Sequence, residues 1–120
     1  MMQKKAKEEE SPFALIAQYQ CTRVRALFRN YTRIFQITKS AVLTLDPTTF
    51  EVTNTMPYKS MSNIGPDEKV ADQFVFKDEK SGDFVFKCAH RNQILCQLYE
   101  AITKDCAKFK TYGPYRAQRL

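Results

Sequence analysis

The stretch TLDPTTFEVTNTMPY, Thr44 to Tyr58, decides the fold. It opens as the end of one strand and breaks at Asp46-Pro47-Thr48-Thr49, where an Asp side chain caps its own backbone and Pro presets φ for a tight turn. After the turn the residues alternate. Phe50, Val52, Asn54 and Met56 fall on one side, and Glu51, Thr53 and Thr55 on the other. That period of two is the signature of a half-buried strand. The stretch is therefore a β-hairpin.

Strand patterns continue on both sides of it. Upstream, ALIAQYQCTRVRAL (residues 14–27) alternates over a long run, NYTRIFQI (30–37) follows a turn near Arg29-Asn30, and AVLTL (41–45) leads into the hairpin. Downstream, YKSMSNI (58–64) reads as a weaker, edge-like strand, and the Gly65-Pro66 pair marks a loop. DQFVFKD and DFVFKCA form a second hairpin around Glu79-Lys80-Ser81-Gly82. The period then changes. From about His90 to about Lys108, Leu95, Leu98, Ile102 and Phe109 share one face, flanked by Ile94 and Tyr99, which is the i, i+3, i+4, i+7 pattern of an amphipathic helix. Gly113-Pro114 ends any helix beyond it. A run of strands closed by one helix implies an antiparallel sheet with the helix packed on it. The order and size fit a mostly-β, pleckstrin-homology-like barrel of about seven antiparallel strands, capped at one end by the C-terminal helix. A generic small β-barrel is the competing topology, but it has no use for a long amphipathic helix.

The 120 residues are enough for one domain with a real core. Nine Phe and six Tyr against three Gly suit strands with an aromatic interior. Residues 1–12 are charged and lack an apolar run, so they read as a disordered leader rather than a signal peptide. Residues 13–110 form the domain, and residues 111–120 a basic tail with no evident structure of its own. Cys21, Cys88, Cys96 and Cys106 include no Cys-x-x-Cys pair, and His90 is the sole His, so neither a metal site nor a cofactor is expected. The thiols read as free, mostly as small buried apolar groups. His90 reads as a helix-start residue, and no glycine-rich phosphate loop or acid–base pair stands out. Enzyme activity finds no support.

Charge is segregated. From Ser11 to Leu45 there is no Asp or Glu, while Arg23, Arg25, Arg29, Arg33 and Lys39 are all present; from Asp46 to Glu100 acids outnumber bases. A net charge of +6 spread in this way creates a local positive field. The basic residues are not interleaved with aromatics in a nucleic-acid motif, and the Phe74/Phe76 and Phe84/Phe86 pairs read as core, so no nucleic acid partner is expected. Arg23 and Arg25 are two apart, on one strand face, and Arg33 lies across from them on the next strand. Arg29 sits at the turn beside Leu27 and Phe28. Basic groups at a loop mouth with apolar residues at its tip make a site for an anionic lipid headgroup: the arginines bind phosphate oxygens, and Leu27 or Phe28 acts as a membrane wedge. A scaffold of the same fold that takes a peptide as an added strand beside the helix is the second reading.

The residues 30–58 resemble the N-terminal pleckstrin-homology-like domain of the receptor-mediated endocytosis 8 co-chaperones, the DnaJ homolog subfamily C member 13 group. Tyr31, Arg33, Ile34 and Phe35 match that family's Tyr-x-Arg-hydrophobic-Phe strand. Asp46-Pro47-Thr48-Thr49 matches its turn, FEVTN (50–54) its next strand, and Met56-Pro57-Tyr58 the segment after it. Phe86 and His90-Arg91 match its late strand and helix start, so the resemblance spans about Gln18 to Lys110. It implies the N-terminal module of a large J-domain co-chaperone on early endosome membranes, reading phosphatidylinositol 3-phosphate. Hsp70 and endosomal sorting proteins would be partners of other domains of that parent chain. Of the family's lipid motif Tyr31 and Arg33 carry over; with the arginines of the first hairpin the expected phosphoinositide site is Arg23, Arg25, Arg29, Tyr31 and Arg33. Leu27 or Phe28 stands where the family has Trp, Arg29 where it has Gly, and Thr32 where it has a basic residue.

Overall fold

The computed structural model describes residues 14–25, 27–105, 109–112 and 116–119, the last two segments as backbone. The leader expected over residues 1–12 lies outside them. Strands β1 (Leu15–Arg23), β2 (Tyr31–Thr38), β3 (Ala41–Leu45) and β4 (Val52–Pro57) follow one another as antiparallel hairpins. A 3-10 turn at Tyr58–Ser60 leads into β5 (Met61–Pro66), β6 (Gln73–Asp78) and β7 (Gly82–Lys87), a second antiparallel run. Helix α1 (Arg91–Asp105) comes next, then β8 (Phe109–Tyr112) and β9 (Arg116–Arg119). The hydrogen-bonded order is β4-β3-β2-β1-β7-β6-β5-β9-β8. The expected seven strands and capping helix are all present, with a terminal hairpin added.

The deciding hairpin forms as its residues dictate. The Asp46 carboxylate accepts the backbone N–H of Thr48 at 2.8 Å and of Thr49 at 3.1 Å, and the main chain closes through Phe50 N–H to the Asp46 carbonyl at 2.9 Å. The inward stripe is shorter than the alternation promises. Met56 is buried and Asn54 half-buried, but Val52 and Phe50 are exposed, because β4 runs past the edge of the core there.

That core is aromatic. Phe35 on β2 sits with its ring edge-on to Phe74, Phe76 and Phe86, at centroid distances of 5.6, 6.3 and 5.1 Å. Phe76 stacks on Phe84 and on Phe86. Offset and edge-on arrangements satisfy the ring quadrupoles. Tyr58 is fully buried and donates its hydroxyl to the Thr38 carbonyl at 2.6 Å, tying the 3-10 turn to the end of β2. Burial pushes its pKa upward. Asp78, also buried, accepts the Ser60 hydroxyl and the N–H groups of Lys80 and Ser81, so the β6–β7 turn is pinned to the start of β5.

Helix α1 buries Ile94, Leu95, Leu98, Tyr99, Ala101 and Ile102, the apolar face its spacing implies. His90 precedes it, and its carbonyl accepts the Ile94 N–H at 3.0 Å. Four expectations change. Gly65 and Pro66, read as a loop, are the last residues of β5, opposite Val75 and Phe74. Phe109, which the periodicity places on the helix face, opens β8 instead. The segment after residue 110 is paired: β9 runs antiparallel to β5, with Asn63 opposite Gln118 and Ile64 opposite Ala117. In consequence β5 is no edge strand; it lies between β6 and β9, with Met61 and Ile64 fully buried.

The two halves of the sheet meet along one short seam. β1 and β7 share just two register pairs, Thr22–Lys87 and Arg23–Phe86. Helix α1 closes one end of the fold, where Tyr19 of β1 donates its hydroxyl to Gln97 and its ring faces His90 at 5.9 Å. The β1–β2 and β3–β4 turns stand at the opposite end, as alternate hairpins of one meander must.

Candidate functional site

The site is the unplugged end of the barrel, and strand alternation explains its composition. Along β1 the inward positions run Tyr19, Cys21, Arg23; along β2 they run Ile37, Phe35, Arg33, Tyr31. The inner face passes from fully buried apolar groups to half-exposed arginine and tyrosine in one step on each strand. Cys21 pairs with Arg33, and Arg23 with Tyr31, so the two strands change character at the same level. The result is a ring of cations and aromatics at the mouth of the core.

Contacts among them are specific. The Arg33 guanidinium lies 4.1 Å from the Tyr31 ring centroid, and one of its N–H groups donates to the Thr32 carbonyl at 2.9 Å. Arg25 stands over Phe28 at 4.6 Å and within 5.9 Å of Tyr31. Arg23 covers Phe84 of β7 at 4.4 Å. Cation–π contacts of this kind contribute about 0.5–2 kcal/mol each. They also hold the planar guanidinium groups by their faces, an arrangement in which N–H edges not already bonded or buried can meet an anion. The loop is closed by the Arg25 N–H, which donates to the Asn30 side chain at 2.9 Å.

Leu27 is 89% exposed and Phe28 66% exposed at the tip. Arg23, Arg25, Leu27, Phe28, Asp83 and Val85 line an open cleft of about 320 Å³. Arg29 is exposed and stands apart from the stacked set. Of the residues expected from the sequence, Arg23, Arg25, Tyr31, Arg33 and Phe28 are brought together, Leu27 projects beyond them, and Arg29 lies at the rim.

Three residues belong to this end that the sequence did not assign to the site. Phe84 is the platform under Arg23, a pairing visible only once β7 lies beside β1. Asp83 brings a carboxylate to the cleft wall. Asp46, in the neighbouring turn, has its pKa held below the usual carboxylate range by the backbone N–H groups of Thr49 and Thr48, with a further contribution from Arg33. That same turn carries Phe50, 64% exposed at a left-handed φ of 61°. Among the described residues no three His, Cys, Asp or Glu side chains cluster to hold a metal ion. A larger cavity of about 420 Å³ lies at the helix end, but Lys39, Lys104, Glu100 and Asp105 give it charges of both signs.

Comparison with known proteins defines the class. A chain from the crystal structure of human RhoA in complex with the DH/PH fragment of PDZRhoGEF superposes with a TM-score of 0.66 at 11% identity, over 75% of this chain and 29% of that one. A structure of Vav1 with an allosteric inhibitor gives 0.62 at 10% identity, over 92% of this chain and 25% of that one. The C-terminal domain of an unknown protein from Leishmania infantum gives 0.59 at 12% identity, over 87% and 94%. The chain thus spans less than a third of the first of these and nearly all of the last. With seven antiparallel strands followed by a helix, and a further hairpin after it, it has a pleckstrin-homology-like fold. A search of curated protein sequences returns no match. The family model for the DNAJ protein RME-8 N-terminal domain matches residues 18–104, and the chain belongs to that family.

Proposed function

We propose that this chain is a non-enzymatic membrane-targeting module that binds a phosphoinositide headgroup at the open mouth of its barrel. The observation that carries the reading is the stacked set Phe28, Arg25, Tyr31, Arg33 beneath an exposed Leu27. Preordered guanidinium edges suit phosphate oxygens, and an apolar tip beside them suits the bilayer interface. Membership of the RME-8 N-terminal family supports phosphatidylinositol 3-phosphate on early endosomes as the target, and an endosomal J-domain co-chaperone as the setting.

Four arginines near an anionic surface contribute about 1 kcal/mol each, which is about millimolar affinity. Asp83 and Asp46 lower the local charge further. A single copy is therefore a weak reader, and firm attachment needs several copies or other domains acting together. The competing reading is a peptide added as a strand beside α1; β5 is closed to it, since it already pairs with β6 and β9.

The test is co-sedimentation with vesicles at physiological salt. The vesicles hold phosphatidylinositol 3-phosphate, other phosphoinositides, or phosphatidylserine alone. Selective binding that is lost in Arg25→Glu/Arg33→Glu is the expected result. Binding that follows total anionic charge would reduce the site to a general basic surface. No binding to any vesicle would sink the lipid reading and return the peptide scaffold to first place.

A further inference from the structure

The β1–β7 seam ends in two cysteines. Its register pairs are Thr22–Lys87 and Arg23–Phe86, and one further step in the same register, just past the end of β7, sets Cys21 opposite Cys88. Hydrogen-bond phase fixes how the two meet. The Val24 N–H donates to the Val85 carbonyl at 2.9 Å, so Val24–Val85 and Thr22–Lys87 are the hydrogen-bonded positions. The Cys88 N–H turns the other way, to the Asp72 carbonyl at 2.8 Å. Cys21 and Cys88 therefore occupy a non-hydrogen-bonded site, where facing Cα atoms approach to about 4.5 Å and side chains are closest. That separation lies within the span a disulfide bridges, about 4.4–6.8 Å.

Both side chains point inward. Cys21 is 2% exposed and Cys88 8% exposed, and both belong to the core cluster. The Cys88 thiol donates to the carbonyl of Gln20, the residue next to Cys21, at 3.6 Å. No other pair of described cysteines is so placed: Cys96 is exposed on α1. We propose that Cys21 and Cys88 form a thiol modification site, which a small disulfide oxidant such as oxidised glutathione converts to an intramolecular disulfide across the seam.

The step balances as two exchanges. One cysteine thiolate attacks a glutathione sulfur, breaking its S–S bond and releasing one glutathione thiolate. The second cysteine then attacks the mixed disulfide, forming the Cys21–Cys88 bond and releasing the other. The protein loses two electrons and two protons, and two reduced glutathiones result. Burial and the Cys88 thiol push the Cys21 pKa upward, so the closed seam protects the pair. Reaction proceeds through local opening, which two register pairs make accessible.

The experiment treats folded Cys96→Ser/Cys106→Ser protein with oxidised glutathione at neutral pH, then alkylates and measures intact and peptide masses. The expected result is loss of two hydrogens with no glutathione retained, a linked peptide joining Cys21 to Cys88, and reversal by dithiothreitol. Cys88→Ala in the same background should give no such link. Two free thiols after a treatment that oxidises the urea-unfolded chain would overturn the proposal, as would two retained glutathiones. Should the double variant not fold, the wild type serves. A glutathione on exposed Cys96 is then counted separately, and the Cys21–Cys88 peptide remains the readout.

Discussion

Replacing Arg23 by Met should make the protein more stable and its membrane binding weaker. Arg23 extends the buried stripe of β1, yet its Nε is buried without a hydrogen-bond partner among the described residues. A buried donor left unsatisfied costs about 1–3 kcal/mol. The guanidinium recovers part of that over Phe84 at 4.4 Å, a contact worth about 0.5–2 kcal/mol. Met keeps the apolar stem and returns about 0.3–1.5 kcal/mol through its sulfur on the same ring. The difference is a gain of about 1.5 kcal/mol, or roughly 6 °C in Tm for a domain of this size. Losing one cation from the mouth should weaken binding to anionic vesicles about fivefold. Thermal unfolding by circular dichroism and vesicle co-sedimentation read the two effects. Arg29→Met is the control: it is exposed, so binding should fall by a similar factor while stability moves by less than about 0.5 kcal/mol. A fall in Tm for Arg23→Met would show that the charge is structural and refute the accounting. A rise in Tm with unchanged binding would remove Arg23 from the site.

Phe35→Ala should cost about 3–5 kcal/mol in urea unfolding, because the ring touches Phe74, Phe76 and Phe86 and the cavity cannot collapse around three rigid rings. Phe50→Asn should stabilise the fold by about 1 kcal/mol, since Asn tolerates the left-handed backbone that an exposed Phe occupies at that turn. Asp46→Ala should destabilise at neutral pH by removing the acceptor for Thr48 and Thr49. Since the folded pKa of Asp46 is depressed, its contribution is full above the unfolded value of about 3.9 and lost as pH falls through the folded one, so wild-type and variant stability curves should converge in acid below about pH 4. Ending the chain after Asp105 removes β9 and leaves β5 as an open edge; sizing chromatography should then show dimers or larger species that the full chain does not form.

What could be read ahead of the structure was local. The Asp-Pro-Thr-Thr turn, the alternation about it and the 3.6-residue period from His90 onward are properties of neighbouring residues; the turn, strand and helix all form, although Phe50 and Val52 stay exposed and Phe109 leaves the helical face. The arginines were found for the same reason: Arg23, Arg25 and Arg33 share a strand face by counting in twos. The misses came from partners distant in sequence. β5 resembles an edge because Ser62, Asn63, Gly65 and Pro66 are poor strand formers, and nothing nearby announces that Ala117 and Gln118 will cover it. The Gly-Pro pair at residues 113–114 reads as a breaker although it lies between two paired strands. The seating of Arg23 on Phe84, and the carboxylate that Asp83 adds to the cleft, depend on the crossing of β1 by β7. No period within either strand encodes that crossing.

The two ends of the barrel also set a distance. β1 enters at the helix-closed end with Leu15 and reaches the mouth with Arg23, eight residues later. At about 3.3 Å per residue that is a rise of about 26 Å. Whatever rests against Leu27 and Phe28 is held that far from the point where the chain enters β1. On the proposed function the domain is thus a spacer as well as a reader, holding the start of β1 away from the docked surface.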